Sequence, residues 1–319
     1  MGNNRNLNEL TSKEWIDVIS QIPRYAFVTL VGGEVFLRKD FFEILDYSSK
    51  RFFGKVSVVS NGTLTDSDSA LKLIKSKIML FSVSLDGFGK NHDINRNGEG
   101  IFDKVVSNLD YVNSIRKKSG MMIDVKTLIL QNNLEDLPEL YKYCTQNRFE
   151  FFSLAFLRNS NLKSNSVLKN SFESVFYEPS YDINPYFDVE HFIDVYKKIY
   201  ELSKHSETRI RFSPKFEGGT FEDSVNKIRN FFAPKNSSDL KRHPRELYYP
   251  CKYPFSNMMI NPAGDVYPCL SFKTGNVKES SIKELFNTDA YRQFRKKLKN
   301  SGNFSSCQMC CELKVKNLK

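Results

Sequence analysis

Tyr25-Ala26-Phe27-Val28-Thr29-Leu30-Val31-Gly32-Gly33-Glu34 decides the architecture of the first half of this chain. Seven uncharged residues, rich in aromatic and β-branched side chains, read as a buried strand, and the two glycines stop it. Upstream, Thr11 and Glu14 have capping-box spacing, which predicts a helix to about Ile22 with Trp15, Ile16, Ile19 and Ile22 on its apolar side. Downstream the grammar repeats. A helical stretch over 38–49 precedes a strand over 55–60 stopped by Asn61-Gly62, and a helix over 66–76 precedes a strand over 78–85 closed by Asp86-Gly87. After a loop over 87–100 come a helix over 102–117, a strand over 122–130, a helix over 134–146 and a strand over 149–154. Strands alternating with helices of this length predict parallel strands joined by crossover helices, an α/β sheet or partial (β/α) barrel.

The second half reads differently. Residues 158–186 are rich in Asn, Ser, Pro and Tyr without clean periodicity, the pattern of a long surface loop or insertion. A helix over 189–202 and a short strand over 209–212 lead into an irregular stretch and then a cysteine-bearing tail. In that tail Pro262-Ala263-Gly264-Asp265 reads as the turn of a hairpin. No internal repeat is visible.

Composition narrows the function classes. The net charge of +10 is spread along most of the 319 residues, and Arg295-Lys296-Lys297-Leu298-Lys299 falls on a predicted helix as a solvated face, so no nucleic-acid partner is expected. No apolar run approaches the roughly 18 to 20 residues needed to cross a bilayer, and the opening ten residues lack the character of a signal peptide, so no membrane partner and a cytoplasmic address are expected. Six cysteines in a reducing compartment are read for metal before disulfides, and five of them follow residue 250.

Two constellations carry chemistry. The first is Gly32-Gly33-Glu34: glycines let a ligand approach the backbone, and a carboxylate at a strand's carboxyl end can receive an ammonium group. Alone, such a turn is equally ordinary loop punctuation. The second is Cys251 and Cys269, flanking the predicted hairpin, with the chelating pair Cys307 and Cys310. Four soft thiolates suit zinc or an iron–sulfur cluster, and spacing does not choose between them. Cys144 lies on a helical apolar face and reads as core. His92, His191, His205 and His243 have no metal-type spacing.

The order of Val31–Asp40, Val58–Leu64 and Val83–Gly87 at successive strand ends resembles the radical SAM superfamily, whose members use S-adenosylmethionine. The resemblance implies that Gly32, Gly33 and Glu34 hold the amino group of that co-substrate, and that Ser60, Asn61 and Ser84 reach its carboxylate and ribose. Val35 stands where the family commonly has proline. Leu85–Arg96 with Ile101–Val106 also looks like the family's next segment and places Asp86 on the substrate side, although a turn-forming Asp-Gly is an equal reading. Ile260–Cys269, Gly275-Asn276-Val277 and Ser281–Phe286 resemble the appended SPASM or shorter twitch module, which implies one auxiliary [4Fe-4S] cluster on Cys251, Cys269, Cys307 and Cys310. Cys311 is the alternative to Cys310.

The family's Cys-x3-Cys-x-x-Cys motif, which holds the catalytic cluster, is not present: the first cysteine is Cys144. The expectation is therefore a partial barrel over 1–157 with its first strand missing, an insertion and helical connector over 158–244, and a SPASM/twitch-like iron–sulfur domain over 245–319. The expected function is that of an N-terminally truncated form of an enzyme for radical modification of a peptide, carbohydrate or small molecule. S-adenosylmethionine binding would be weakened without the catalytic cluster, and an electron donor would be needed for activity. The alternative is a non-catalytic protein holding zinc or a structural cluster.

Overall fold

A computed structural model describes residues 9–116, 119–156, 187–216, 219–232, 248–269, 273–302, 307, 310 and 312–316. The whole of the expected loop at 158–186 and residues 233–244 of the connector therefore lie outside the described residues, as does Cys311. The chain divides into two compact units, one of Arg24–Leu157 with Pro185–Phe232, the other of Met1–Pro23, Arg158–Asn184 and Ala233–Lys319.

The first unit is the expected parallel sheet. Its strands are β1 (Val28–Leu30), β2 (Val56–Ser60), β3 (Leu80–Ser84), β4 (Met122–Ile129), β5 (Phe151–Phe156) and β6 (Arg209–Ser213). They lie side by side in chain order, every pair parallel. Connections of one hand that never reverse direction put the helices on one face, the winding of a barrel rather than of a doubly wound sheet. Side chains confirm it. Gly62 lies against both Val83 of β3 and Val105 of α5 (Ile101–Arg116); Phe152 meets Tyr141 of α6 (Leu137–Gln146); and Phe156 meets Phe192 of α7 (Val189–Ser203) and Phe232 of α8 (Phe221–Phe232).

The strand period of two sorts the residues accordingly. Val58, Phe81, Val83, Ile123, Val125, Phe152, Leu154 and Phe212 are buried on the helix side. The opposite face is largely polar, with Ser82 and Ser84, Asp124 and Lys126, Ser153, and Arg209 and Arg211 on adjacent strands. Among the described residues β1 pairs only with β2, and Tyr25, Phe27 and Val31 are exposed beside it.

Two helices depart from the sequence reading. Residues 90–96, expected as loop, form α4 (Lys90–Arg96), which ends where Asn97 turns left-handed at φ 54°. Residues 221–232, expected as irregular, form α8; Thr220 and Asp223 exchange hydrogen bonds at its start, and Val225, Ile228, Phe231 and Phe232 are its buried stripe. That stripe has helical spacing and is legible in the sequence.

The second unit gathers both ends of the chain. The capping box of Thr11 and Glu14 starts α1 (Ser12–Gln21) as expected. Yet this helix, expected to lead into the sheet, packs in the second unit. Its Val18 joins Leu10 and Ile282 in one apolar cluster with Trp15, Met258, Ile260 and Val277. Leu10 N donates to the Pro262 carbonyl at 2.8 Å and Ile282 N to Gln21 Oε1 at 2.8 Å. An amphipathic helix follows the apolar surface that covers its stripe, not its neighbour in sequence.

That surface belongs to a three-stranded antiparallel sheet of β7 (Met259–Ile260), β8 (Asp265–Tyr267) and β9 (Gly275–Asn276). The hairpin turns at 262–264 as the sequence implies, with Gly264 N bonded to the Asn261 carbonyl at 2.9 Å. Gly264 has φ 89°, and a Cβ there would lie 2.9 Å from Asn276 Oδ1 and from Val277. Only glycine fits. Two further helices follow, α9 (Ile282–Leu285) and α10 (Asp289–Ser301).

Candidate functional site

The carboxyl ends of β1 and β2 meet at Glu34. Its backbone is extended and its side chain caps a short 3-10 turn over Val35–Leu37. One carboxylate oxygen accepts from Phe36 N at 3.2 Å and Ser60 Oγ at 2.9 Å, the other from Asn61 N at 2.6 Å. An ionised carboxylate offers about four acceptor sites, so the second oxygen keeps one for an incoming N–H. Gly32 and Gly33 lie beside it, and a Cβ built on either would meet nothing within 4 Å. Neither glycine has a left-handed φ. Their contribution is open space next to a fixed negative charge, which suits an ammonium group.

Ser60 is buried, donates to Glu34 and accepts from Gly62 N at 2.9 Å. Its hydroxyl proton thus points at Glu34, and its action on a ligand passes through that carboxylate. Asn61 gives Glu34 its backbone N–H, while its side-chain oxygen accepts from Thr63 N and Thr63 Oγ1, an Asx turn. Gly62, at φ 79°, is pressed against Val83 and Val105. Ser84 ends β3, and its hydroxyl has no hydrogen-bond partner among the described residues, so it is available on the polar face.

Asp86 is held by partners on β4 and α4. It is buried; one oxygen accepts from Leu128 N at 2.8 Å and the other pairs with Arg96 at 2.6 Å. Its own N–H donates to His92 Nδ1 at 2.9 Å, and its carbonyl accepts from Asn95 and Asn133. Asp86 ties α4 to the ends of β3 and β4. His92 Nε2 is buried without a hydrogen-bond partner among the described residues, and burial, ahead of the Arg96 charge, pulls the imidazole pKa down.

The polar face holds residues that the sequence reading passed over. Asp124 is buried in mid-strand and accepts from Ser82 Oγ at 3.1 Å and Ser153 Oγ at 2.6 Å, with Lys126 Nζ 3.9 Å away. Ser84, Lys126, Ser153 and Arg211 share one register across β3–β6. The signal was present as Asp124 and Lys126 alternating with apolar residues inside one strand.

In the second unit Cys251 and Cys269 both pack against Phe294 and Leu298 of α10. Cys251 N donates to the Gly302 carbonyl at 3.4 Å, which sets the end of α10 beside it. Cys310 N bonds back to the Cys307 carbonyl at 3.0 Å. Cys307 lies in the field of Tyr248, which forms a bridge with Val315 close to Cys251 in sequence. Among the described residues no three His, Cys, Asp or Glu side chains come close enough to share one metal ion. A single zinc needs sulfurs about 2.3 Å from its centre, whereas a cubane cluster stands between its ligands and holds them farther apart. The soft donor set fits a cluster. Cys144 is a fully buried thiol whose pKa burial pushes far up, a core residue.

Fold and site together define an α/β protein with a carboxylate fixed at a strand end beside two open glycines, and a cysteine-bearing module. Residues 2–144 match the radical SAM superfamily, and residues 251–311 match the SPASM iron–sulfur cluster-binding domain. The chain is a radical SAM protein with a C-terminal SPASM region, and the two domains imply S-adenosylmethionine and iron–sulfur binding. It is 23% identical over 312 residues to an AdoMet-dependent heme synthase of Methanosarcina barkeri, covering 94% of this chain and 80% of that protein. It is 25% identical over 327 residues to a cysteine-type anaerobic sulfatase-maturating enzyme of Clostridium novyi, covering 96% and 77%. The structure of Streptococcus suis SuiB bound to S-adenosylmethionine matches with TM-score 0.63 at 18% identity over 92% of this chain; that bound to precursor peptide SuiA matches with the same score over 97%. This chain spans 62% and 66% of those two SuiB chains.

Proposed function

We propose that this chain binds S-adenosylmethionine at the ends of β1–β3 and one auxiliary [4Fe-4S] cluster at Cys251, Cys269, Cys307 and Cys310, in the service of radical modification of a peptide. The observation that carries the reading is Glu34, fixed by Ser60 and Asn61 with one acceptor site left beside open Gly32-Gly33. Glu34 receives the ammonium of the co-substrate, Ser60 holds Glu34 in place, and Ser84 with the Nδ2 of Asn61 supplies donors to its carboxylate and ribose. Bound S-adenosylmethionine supplies hydrogen-atom abstraction once an electron reaches it. The three cysteines of a catalytic cluster are not among these 319 residues, so turnover requires those ligands and an electron donor. A peptide substrate is supported by SuiB, whose structure holds a precursor peptide, and by the sulfatase-maturating relative.

The test is anaerobic reconstitution with iron and sulfide, followed by titration calorimetry with S-adenosylmethionine. Brown protein with about four irons and four sulfides, lost in C251S and C307S, supports the cluster; colourless protein holding one zinc refutes it in favour of a structural metal site. E34Q removes a charge-assisted hydrogen bond worth about 1.5–3 kcal/mol, a roughly 10- to 100-fold weaker Kd. Unchanged binding by E34Q refutes the cradle.

A further inference from the structure

Arg295, on α10 of the second unit, is a half-buried cation with no counter-ion among the described residues. Its guanidinium lies 3.9 Å from the ring centre of Phe286 and 4.2 Å from that of Tyr291. Its Nε donates to the Pro254 carbonyl at 2.8 Å, while Nη2 is buried and has no hydrogen-bond partner among the described residues. No carboxylate pairs with it there. Burial is the leading influence on Arg295 and pulls its pKa down, opposed by the Tyr291 hydroxyl beside it. An unpaired buried guanidinium N–H is costly unless something receives it.

The surroundings say what receives it. The preceding residue, Phe294, forms with Leu298 the apolar cluster against which Cys251 and Cys269 pack. Pro254, which Arg295 holds, is three positions after Cys251. Tyr291, on which it stacks, lies in the electrostatic field of Cys269. Four thiolates around a cubane core leave a net negative site, whose sulfurs accept N–H hydrogen bonds and whose potential follows nearby charge.

We propose that Arg295 is a positioning residue of the C-terminal centre: its Nη2 donates to a sulfur of the auxiliary cluster and its charge raises the cluster's reduction potential. The proposal rests on the reading of the four cysteines as cluster ligands. The reduced cluster carries one more negative charge than the oxidised one, so a fixed cation in a low-dielectric pocket favours the reduced form. One electron passes from the titrating reductant to the cluster, with no bond made or broken.

The experiment is a redox titration of the reconstituted full chain, followed by visible absorbance and electron paramagnetic resonance, for wild type, R295M and R295K. The expected result is a more negative midpoint in R295M at unchanged iron content, with R295K restoring most of the shift. A purely structural role would change melting temperature and leave the midpoint where it was. Equal midpoints for R295M and wild type overturn the proposal. If R295M takes up no cluster, R295Q is compared with R295K, and the proposal requires R295Q to lie at the more negative potential; equality overturns it. A wild-type chain that holds no iron overturns the cluster reading as well, whereas a cluster insensitive to Arg295 overturns this inference alone.

Discussion

Removing the Asp86 side chain separates its two readings, a brace within the sheet or a group facing substrate. Asp86→Ala deletes the acceptor of Leu128 N and the partner of Arg96, while the backbone bonds of Asp86 to His92, Asn95 and Asn133 remain possible. Breaking a buried ion pair costs about 3–5 kcal/mol, and an unsatisfied buried N–H about 1–3 kcal/mol. Arg96 is 27% exposed, so water screens part of the loss and the lower end applies. The expected cost of D86A is roughly 3–4 kcal/mol. Asp86→Asn keeps an oxygen for Leu128 N and loses only the charge, a cost of about 1.5–2 kcal/mol. In a double-mutant cycle with R96M, the combined variant is expected to lose less than the sum of the two.

Urea unfolding followed by far-ultraviolet circular dichroism measures these values, and amide exchange along 80–84 reports the strand directly. The chain has two units, so the exchange data guard against assuming a single transition. D86A within about 0.5 kcal/mol of wild type, or an additive cycle, refutes the brace. A stable D86A that fails to engage peptide restores the substrate-side reading.

Gly62→Ala places a methyl where a Cβ would be 2.8 Å from Val83 and 2.9 Å from Val105, at φ 79°. Strain and overpacking together predict a loss of about 2–4 kcal/mol in urea unfolding and a weakened Glu34 site, since Gly62 N also holds Ser60 Oγ. The lowered pKa of His92 gives a pH dependence of definite sign: the unfolded imidazole binds protons below about pH 6.5 while the folded one resists. Stability is therefore full above that pH and falls as the pH drops toward the folded pKa. His92→Gln should flatten that acid-side slope in unfolding measured from pH 7.5 to about 5; an unchanged slope refutes the assignment.

The chain's local grammar determined much of this protein. Apolar strands ending in Gly-Gly-Glu and Asn-Gly, with helices of crossover length between them, specified a parallel sheet. Gly264 specified the hairpin, and Thr11 with Glu14 specified the start of α1. These signals act over a few residues, through backbone preference and side-chain period, so a linear reading reaches them. What α1 packs against was beyond such a reading, because Val18 and Ile282 meet through folding and not through sequence proximity. The same holds for Asp86, whose turn-forming local pattern conceals partners at Arg96 and Leu128, and for Asp124, held by hydroxyls from two neighbouring strands. Arg295 sits in a basic run that reads as a solvated face; only the packing of α10 half-buries it against Phe286, Tyr291 and the Pro254 carbonyl. Periodicity tells which side of an element is apolar, but the energy of burying a charge is set by whatever the tertiary structure brings to it.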